Sequence, residues 1–306
     1  MRVCVIVPTY NGGAIWHECA VALEQAQLAS RYKVSVQVVD STSSDDTVDV
    51  ARQHGFAVAV VPSSTFDHGG TRNQAAMACP TDADIVVFIT QDAILNEPDA
   101  LDALIHAFED PTVVVAYGRQ LPHTDANPIA THARLFNYGT QSHVVGLQDK
   151  AKYGIKTVFT SNSFAAYRLS VFRALGGFPE QTILSEDMYF AARAVLAGHK
   201  IAYVAQAQAR HSHNYTPWQE FRRYFDIGVF HHDEAWIGQE FGGAGGEGSR
   251  FLKSELQYLL KYAPLWVLRA SLHNVLKIVG YKLGKQHGVL PVQIKPFMSM
   301  HREHWR

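Results

Sequence analysis

Short apolar runs alternate along the first part of the chain with segments whose apolar residues recur at helical spacing. Val3-Cys4-Val5-Ile6-Val7 is unbroken and rich in β-branched side chains, which predicts a strand buried on both faces. Pro8 to Gly13 breaks it, and Ile15, Cys19, Leu23 and Ala26 follow with a helix's period. The pattern repeats, with strands over 34–39, 56–61, 85–89 and 113–117. Helices follow the polar stretch Ser41 to Asp46, open at Gly69-Gly70, and run over 98–108. Such alternation predicts an α/β fold with a parallel sheet covered on both faces. Residues 118–156 lack a clear period and read as a long excursion lining a substrate cleft. A strand over Thr157–Tyr167, a helix over Ser185–Leu196 and a strand over 201–204 complete this region. The glycine-rich stretch 241–249 reads as a flexible hinge, and 251–283 as helical with an interruption at Pro264.

In parallel sheets ligands bind beyond the carboxyl ends of the strands. Thr9, Asp40 and Asp92 stand at three such ends and so point at one site. Asp92 can hold a divalent cation that grips a diphosphate, or it can be an ordinary turn residue. Asp40 can accept the imide N–H of a pyrimidine base, or it can head an Asx-turn. In Phe66 to Asn73 two glycines at a helix start let backbone N–H groups approach a ligand, and Arg72 adds a fixed charge. The plain alternative is a glycine-assisted turn. Ser185-Glu186-Asp187 can be a cap with two acids favoured by the helix dipole. Alternatively Asp187 is a general base that the dipole keeps ionised at neutral pH. His211 and His213 lie on one side of an extended segment, so one of them could ligate a metal.

These segments together resemble family 2 glycosyltransferases with the GT-A fold, over about the first 215 residues. The matches are Val-Ile-Val-Pro-Thr-Tyr-Asn at 5–11, Asp40, Gly-Gly-Thr-Arg-Asn at 69–73, Thr-Gln-Asp-Ala at 90–93, Gly-Gly-Phe at 176–178, Glu-Asp at 186–187, and His211. The stretch from Asp40 through Ser41, Ser43 and Asp45 to Thr47, together with 66–73 and 90–93, resembles bacterial rhamnosyltransferases most. The resemblance implies a Rossmann-like, mostly parallel sheet with helices on both faces, followed by a C-terminal helical extension. Residues 1–240 would form the nucleotide-sugar-binding and catalytic domain, and 250–306 a basic helical segment. Thr9, Asp40, Arg72, Gln91 and Asp92 would bind the nucleotide sugar. Asp92, with His211, would hold Mg2+ or Mn2+, and Asp187 would be the catalytic base. The reaction implied is inverting transfer of L-rhamnose from dTDP-L-rhamnose to a saccharide or lipid-linked saccharide in cell-surface polysaccharide synthesis. One departure stands out. The family's Asp-x-Asp has Thr90 or Gln91 in place of its first acid.

Charge changes the picture only at the C-terminus. Net charge is −1, yet residues 250–306 carry 10 Lys/Arg against 2 Asp/Glu. In a helix over 267–283, positions 268, 272, 275, 276, 279 and 283 form an apolar stripe, with Arg269 and Lys277 off it. The stripe would pack on the catalytic domain or a second subunit, or lie on an anionic membrane surface. No apolar run reaches 18 residues, and no signal peptide precedes the first strand, so a cytoplasmic protein is expected, peripheral at most on the inner face of the cell membrane. Cys4, Cys19 and Cys79 form no C-x-x-C pair and read as reduced, buried thiols. Nothing points to nucleic acid. A dinucleotide-binding dehydrogenase would need G-x-G-x-x-G after the first strand. A sugar-phosphate nucleotidyltransferase would need its basic loop there, and Pro8 to Gly13 holds no Arg or Lys. An inactive sugar-nucleotide-binding partner subunit is the non-enzymatic alternative.

Overall fold

The computed structural model describes residues 1–243 and 245–305. The elements run β1 (Arg2–Thr9), α1 (Gly13–Ala29), β2 (Lys33–Asp40), α2 (Thr47–Gln53), β3 (Ala57–Val60), α3 (His68–Ala78), β4 (Ile85–Ile89), β5 (Ile94–Leu95) and α4 (Ala100–His106). They continue with β6 (Val113–Leu121), α5 (Pro128–Asn137), β7 (His143–Val145), α6 (Lys150–Tyr153), β8 (Phe164–Arg168), α7 (Leu169–Ala174), α8 (Glu186–Leu196) and β9 (Lys200–Arg210). Five helices end the chain: α9 (Pro217–Asp233), α10 (Ala235–Phe241), α11 (Gly245–Tyr262), α12 (Val267–Gly284) and α13 (Lys295–Met298).

One sheet runs in the order β3-β2-β1-β4-β8-β6-β9-β5, with β7 also on β9. Alternate residues of β1 feed two cores. Val3, Val5 and Val7 meet Trp16, Cys19 and Leu23 of α1, while Cys4 and Ile6 join the cluster that holds Phe190 and Ala191 of α8. β1, β2, β3 and β4 are parallel, as the apolar runs predict. The remainder makes the sheet mixed. β8 enters antiparallel between β4 and β6, so the strand at 113–121 is not β4's neighbour. The strand expected over 157–167 is also shorter. Residues 154–158 coil into a 3-10 turn, and Phe164 begins β8 only after its N–H closes a turn on the Ser161 carbonyl at 3.1 Å. The 118–156 excursion is largely ordered, containing α5, β7 and α6.

The expected hinge at 241–249 includes Ala244, which lies outside the described residues, and α11 already begins at Gly245. The three cysteines are free and buried. α12 docks on α9, but not by its apolar stripe. Its packed residues are Ala270, His273, Lys277, Gly280 and Gly284. A Cβ on Gly280 would stand 2.3 Å from the Phe221 carbonyl oxygen, and one on Gly284 2.0 Å from that of Phe225. The helices therefore approach backbone to backbone, which only glycine permits. Lys277, expected off the stripe and solvated, is buried and paired with Glu220 at 3.3 Å. Leu268, Leu272, Val275 and Val279 of the stripe are turned outward, Leu268 to 85% of its full exposure.

Candidate active site at the carboxyl edge of the sheet

The loops after β1 and β2 are tied to each other. The Asp40 carboxylate is fully buried and accepts from the Thr9 hydroxyl at 3.0 Å, the Ser43 N–H at 2.8 Å and the Ser43 hydroxyl at 2.5 Å. Asp45 accepts from the Gly13 N–H, and Asn11 from the Ser44 N–H. Asn11 and Thr42 hold φ of 45° and 62°, unusual for non-glycine residues and most of all for a β-branched one. Such strain persists where surrounding bonds overdetermine the loop. Gln91 clamps this edge to β1, accepting from the Tyr10 N–H at 2.8 Å and donating to the Tyr10 carbonyl at 3.1 Å. Thr9 and Asp40 are thus brought together, and Gln91 joins them through the backbone of Tyr10.

Asp92 faces two imidazoles. Its Oδ2 lies 3.5 Å from His211 Nε2 and 3.8 Å from His213 Nε2. The three ligand-capable atoms fall within 4.8 Å of one another. Burial favours the neutral acid, but the hydrogen bond and charge of His211 and the charge of His213 outweigh it. The carboxyl is held well below the usual range. Burial, reinforced by the His211 charge, pushes the His213 imidazole down to about 4. His211 Nδ1 is hydrogen bonded at 3.0 Å to Gln120 Oε1, which accepts, and this turns Nε2 toward Asp92. Gln120 is buried, accepts also from Arg134 Nη1, and donates to Ser161 Oγ at 2.8 Å.

Next in that chain of contacts, the Asn162 N–H donates to Asp187 Oδ2 at 2.9 Å. Asn162 Nδ2 donates to Glu186 Oε1 at 2.9 Å, and its Oδ1 accepts from Tyr167 at 2.7 Å. Hydrogen bonds therefore run from His211 through Gln120 to Ser161, whose chain neighbour Asn162 holds Asp187. Glu186 is buried and pairs with Arg72 Nη1 at 3.2 Å. Burial, then the Glu186 charge, push the Asp187 carboxyl up to about 7, against N–H donors from Asn162 and Met188 that stabilise its charge. The expectation that the helix dipole keeps Asp187 fully ionised at neutral pH is therefore corrected. Desolvation and a like charge outweigh the N-terminal amides. Ser185, which delivers it, has φ of 60°.

The 66–73 segment is used differently from its reading as a ligand cradle. Gly69 lies under the Pro179 carbonyl, where a Cβ would stand 1.9 Å from the oxygen. The Gly70 N–H donates to Asp67 Oδ1 as a helix cap. Arg72 is buried, and its Nη1 donates to the His68 carbonyl at 2.9 Å besides pairing with Glu186. Its charge orders the acidic pair. His68 Nε2 meets His301 Nδ1 of the C-terminal segment at 3.2 Å. Gln120, Asn162 and His301 carry no recognisable motif in the sequence. Glu186 did appear beside Asp187, but its pairing with Arg72 depends on a long-range fold contact.

Linked loops after β1 and β2, a carboxylate facing two imidazoles, and the buried Asp187 beside Glu186 thus gather at one edge of the sheet, as a glycosyl-transferring enzyme requires of its site. The chain belongs to glycosyltransferase family 2, whose model, described as Glycosyl transferase family 2, matches residues 4–176. The chain is 52% identical over 306 residues to the O-antigen chain rhamnosyltransferase RfbN of Salmonella typhimurium, covering all of this chain and 96% of that one. It is 53% identical over 302 residues to the O-antigen chain rhamnosyltransferase WbaN of Salmonella anatum, covering 98% and 95%. Among solved structures it resembles the mannosyltransferase PcManGT from Pyrobaculum calidifontis, solved with GDP-Man and Mn2+. The TM-score is 0.60 at 22% identity, over 95% of this chain and 76% of that one. The fold is the expected GT-A type.

Proposed function

We propose that this glycosyltransferase moves L-rhamnose from dTDP-L-rhamnose, with inversion, to a hydroxyl of a lipid-linked saccharide in O-antigen synthesis. The identity and near-complete coverage shared with two O-antigen chain rhamnosyltransferases support the sugar and the acceptor class. The observation that carries the mechanism is the placing of two chemically distinct groups, the Asp92/His211/His213 cluster and Asp187, on opposite sides of the turn at Ser161 and Asn162 that holds them both.

Asp187 removes the proton from the acceptor hydroxyl. That oxygen bonds to the anomeric carbon as the bond from that carbon to the diphosphate breaks on the opposite face. A carboxyl near 7 suits this task, because a general base works best with a pKa near the working pH. Asp92, His211 and His213 fit a divalent cation. Gln120 orients His211 with Nε2 toward Asp92, and one oxygen with two nitrogens suits Mn2+ better than the all-oxygen preference of Mg2+. When bound, such a cation neutralises charge on the departing diphosphate. Thr9, Asp40 and Gln91 shape the loops that receive the nucleotide.

Residues 1–240 act in this reading as the catalytic domain, and 250–306 as its contact with an anionic membrane surface on the cytoplasmic side. Among the described residues no helix is long and apolar enough to cross a membrane. Yet Leu256, Leu260, Leu265, Leu268, Leu272 and Val275 are exposed among the exposed cations Lys253, Lys261, Arg269 and Lys282. That combination is the composition of an interfacial helix pair. The test is release of nucleoside diphosphate from a set of nucleotide sugars by the purified chain. Turnover of the rhamnose donor is expected. Selective turnover of a uridine-diphosphate hexose refutes the donor assignment.

A further inference from the structure

His232 and Asp233 are the last two residues of α9, and His287 follows the end of α12 by three residues. The two helices run side by side in the same direction, since Gly280 meets Phe221, Gly284 meets Phe225 and His232 reaches Lys285. Their carboxyl ends therefore finish together, and the three side chains gather there. His287 Nε2 donates to Asp233 Oδ1 at 2.8 Å. The rings of His232 and His287 stand 4.7 Å apart and 85° from parallel. One ligand atom from each of the three residues falls within 4.8 Å of the others.

This corner of the fold favours a cation. Two helix carboxyl ends bring their partial negative charge to it, beside the Asp233 carboxylate. Among the described residues Asp233 forms no ion pair with a lysine or arginine. Both rings are already turned for ligation. The Lys285 carbonyl, which can only accept, takes a hydrogen bond from His232 Nδ1 at 2.9 Å, so Nε2 is the nitrogen left for a metal. Metal-binding histidines are commonly fixed by such a backbone carbonyl. His287 packs on Trp305 at 5.7 Å, and its Nδ1 is buried without a hydrogen-bond partner, so Nε2 is again the nitrogen on offer. A cation there takes the place of the Nε2 proton that faces Oδ1. Zinc bonds of about 2.0–2.1 Å set the ligand atoms of one ion roughly 3–4 Å apart. The cluster is close to that spacing, and His232 and Asp233 are exposed, with room to adjust. Two imidazoles and one carboxylate suit Zn2+, with the fourth position left to water.

We propose that His232, Asp233 and His287 form a second divalent-cation site, which takes Zn2+ and clasps the carboxyl ends of α9 and α12 together. It shares no residue with the Asp92/His211/His213 cluster and does not depend on the proposed reaction. The test is calorimetric titration of the chelator-stripped full chain with Zn2+, with far-UV circular dichroism and thermal unfolding alongside. The Asp92→Asn/His211→Ala variant silences the other cluster and still binds one Zn2+, which raises Tm by several degrees. Adding His232→Ala or Asp233→Asn to that variant weakens the binding at least about tenfold and removes the rise in Tm. Both side chains are exposed, so the circular dichroism of either metal-free variant matches that of its parent. Should the Asp92→Asn/His211→Ala variant fail to fold, each of the two substitutions in the wild type lowers the Zn2+ bound per chain by one. No Zn2+ binding in the Asp92→Asn/His211→Ala variant overturns the site. Unchanged affinity or an unchanged count after both substitutions also overturns it, and leaves only adventitious binding by other histidines.

Discussion

Protonating Asp187 should switch transfer off within the physiological pH range. The carboxyl is pushed from 3.8 up to about 7, first by burial and then by the Glu186 charge. Below pH 7 its ionised fraction, and with it the transfer rate, should fall about tenfold per unit. An ordinary aspartate would show no such limb above pH 5. Asp187→Asn should lower transfer by about 10²–10⁴-fold with donor affinity nearly intact. Stability should move in the opposite direction. The folded-state value lies above the unfolded one, so the wild type carries a buried charge above about pH 7 and none below about pH 4. Asp187→Asn should therefore gain stability relative to wild type as pH rises from 4 to 8, by at most about 4 kcal/mol, from the rise of its carboxyl from 3.8 to about 7. Glu186→Gln removes the like charge and frees Arg72 to act on Asp187, so the acid limb should move to lower pH. It should also cost about 3–5 kcal/mol of stability, because a buried Arg72 loses its partner. The assay is kcat against pH from 5 to 9 for the three proteins, with thermal unfolding alongside. A limb that stays at 7 or rises in Glu186→Gln, or wild-type turnover by Asp187→Asn, refutes the reasoning.

Exhaustive chelation should abolish activity, and Mn2+ should restore it better than Mg2+. Full activity after chelation would rule out a role for the Asp92/His211/His213 cluster. Gln120→Ala should weaken the metal requirement's midpoint about 10–100-fold by releasing His211, read from activity against free Mn2+. Gly284→Leu should destabilise the α9–α12 contact, lowering Tm by several degrees, because the side chain meets the Phe225 carbonyl. The full chain should sediment with anionic vesicles at low salt and be released at high salt, whereas a truncation after residue 243 should stay in solution at both.

The alternating half of the fold was legible because each apolar run there is buried on both faces, leaving no other reading of Val3–Val7 or Ile85–Ile89. Strand ends then placed Thr9, Asp40 and Asp92 on one edge, as topology requires. The rest depends on partners remote in sequence. Nothing local to Gln120 indicates that His211, 91 residues away, will use it, or that Ser161 beside Asn162 will be its other partner. The apolar Thr157–Phe159 stretch reads as strand, yet the chain turns there. The turn at Ser161 and Asn162 holds Asp187, and a strand through 157–167 would remove it. Arg72 was visible as a charge, but its direction was not. Burial beside Glu186 makes it a counter-charge within the protein, unavailable to a diphosphate without rearrangement.

The C-terminal helices show most sharply why a periodic pattern does not name its own partner. The stripe on α12 is apolar by any scale, and burial on the catalytic domain is the ordinary fate of such a face. Here the opposite face is packed, because Gly280 and Gly284 let α12 come within backbone contact of α9. Lys277 reaches Glu220 inside that contact, an ion pair that satisfies a charge the stripe would have left in solvent. Once the small-residue face is chosen, Leu268, Leu272, Val275 and Val279 are left facing outward, and of the stripe Leu283 still packs at the margin of the core. Extended exposed apolar surface on a soluble domain marks an interaction site. Exposed lysines and Arg269 among the leucines add attraction to anionic head groups and disfavour a buried subunit interface, whose core is depleted of charge. The two glycines that look like flexible punctuation in the sequence are therefore what turns the apolar face outward. Replacing them should abolish both the docked helix and the vesicle binding.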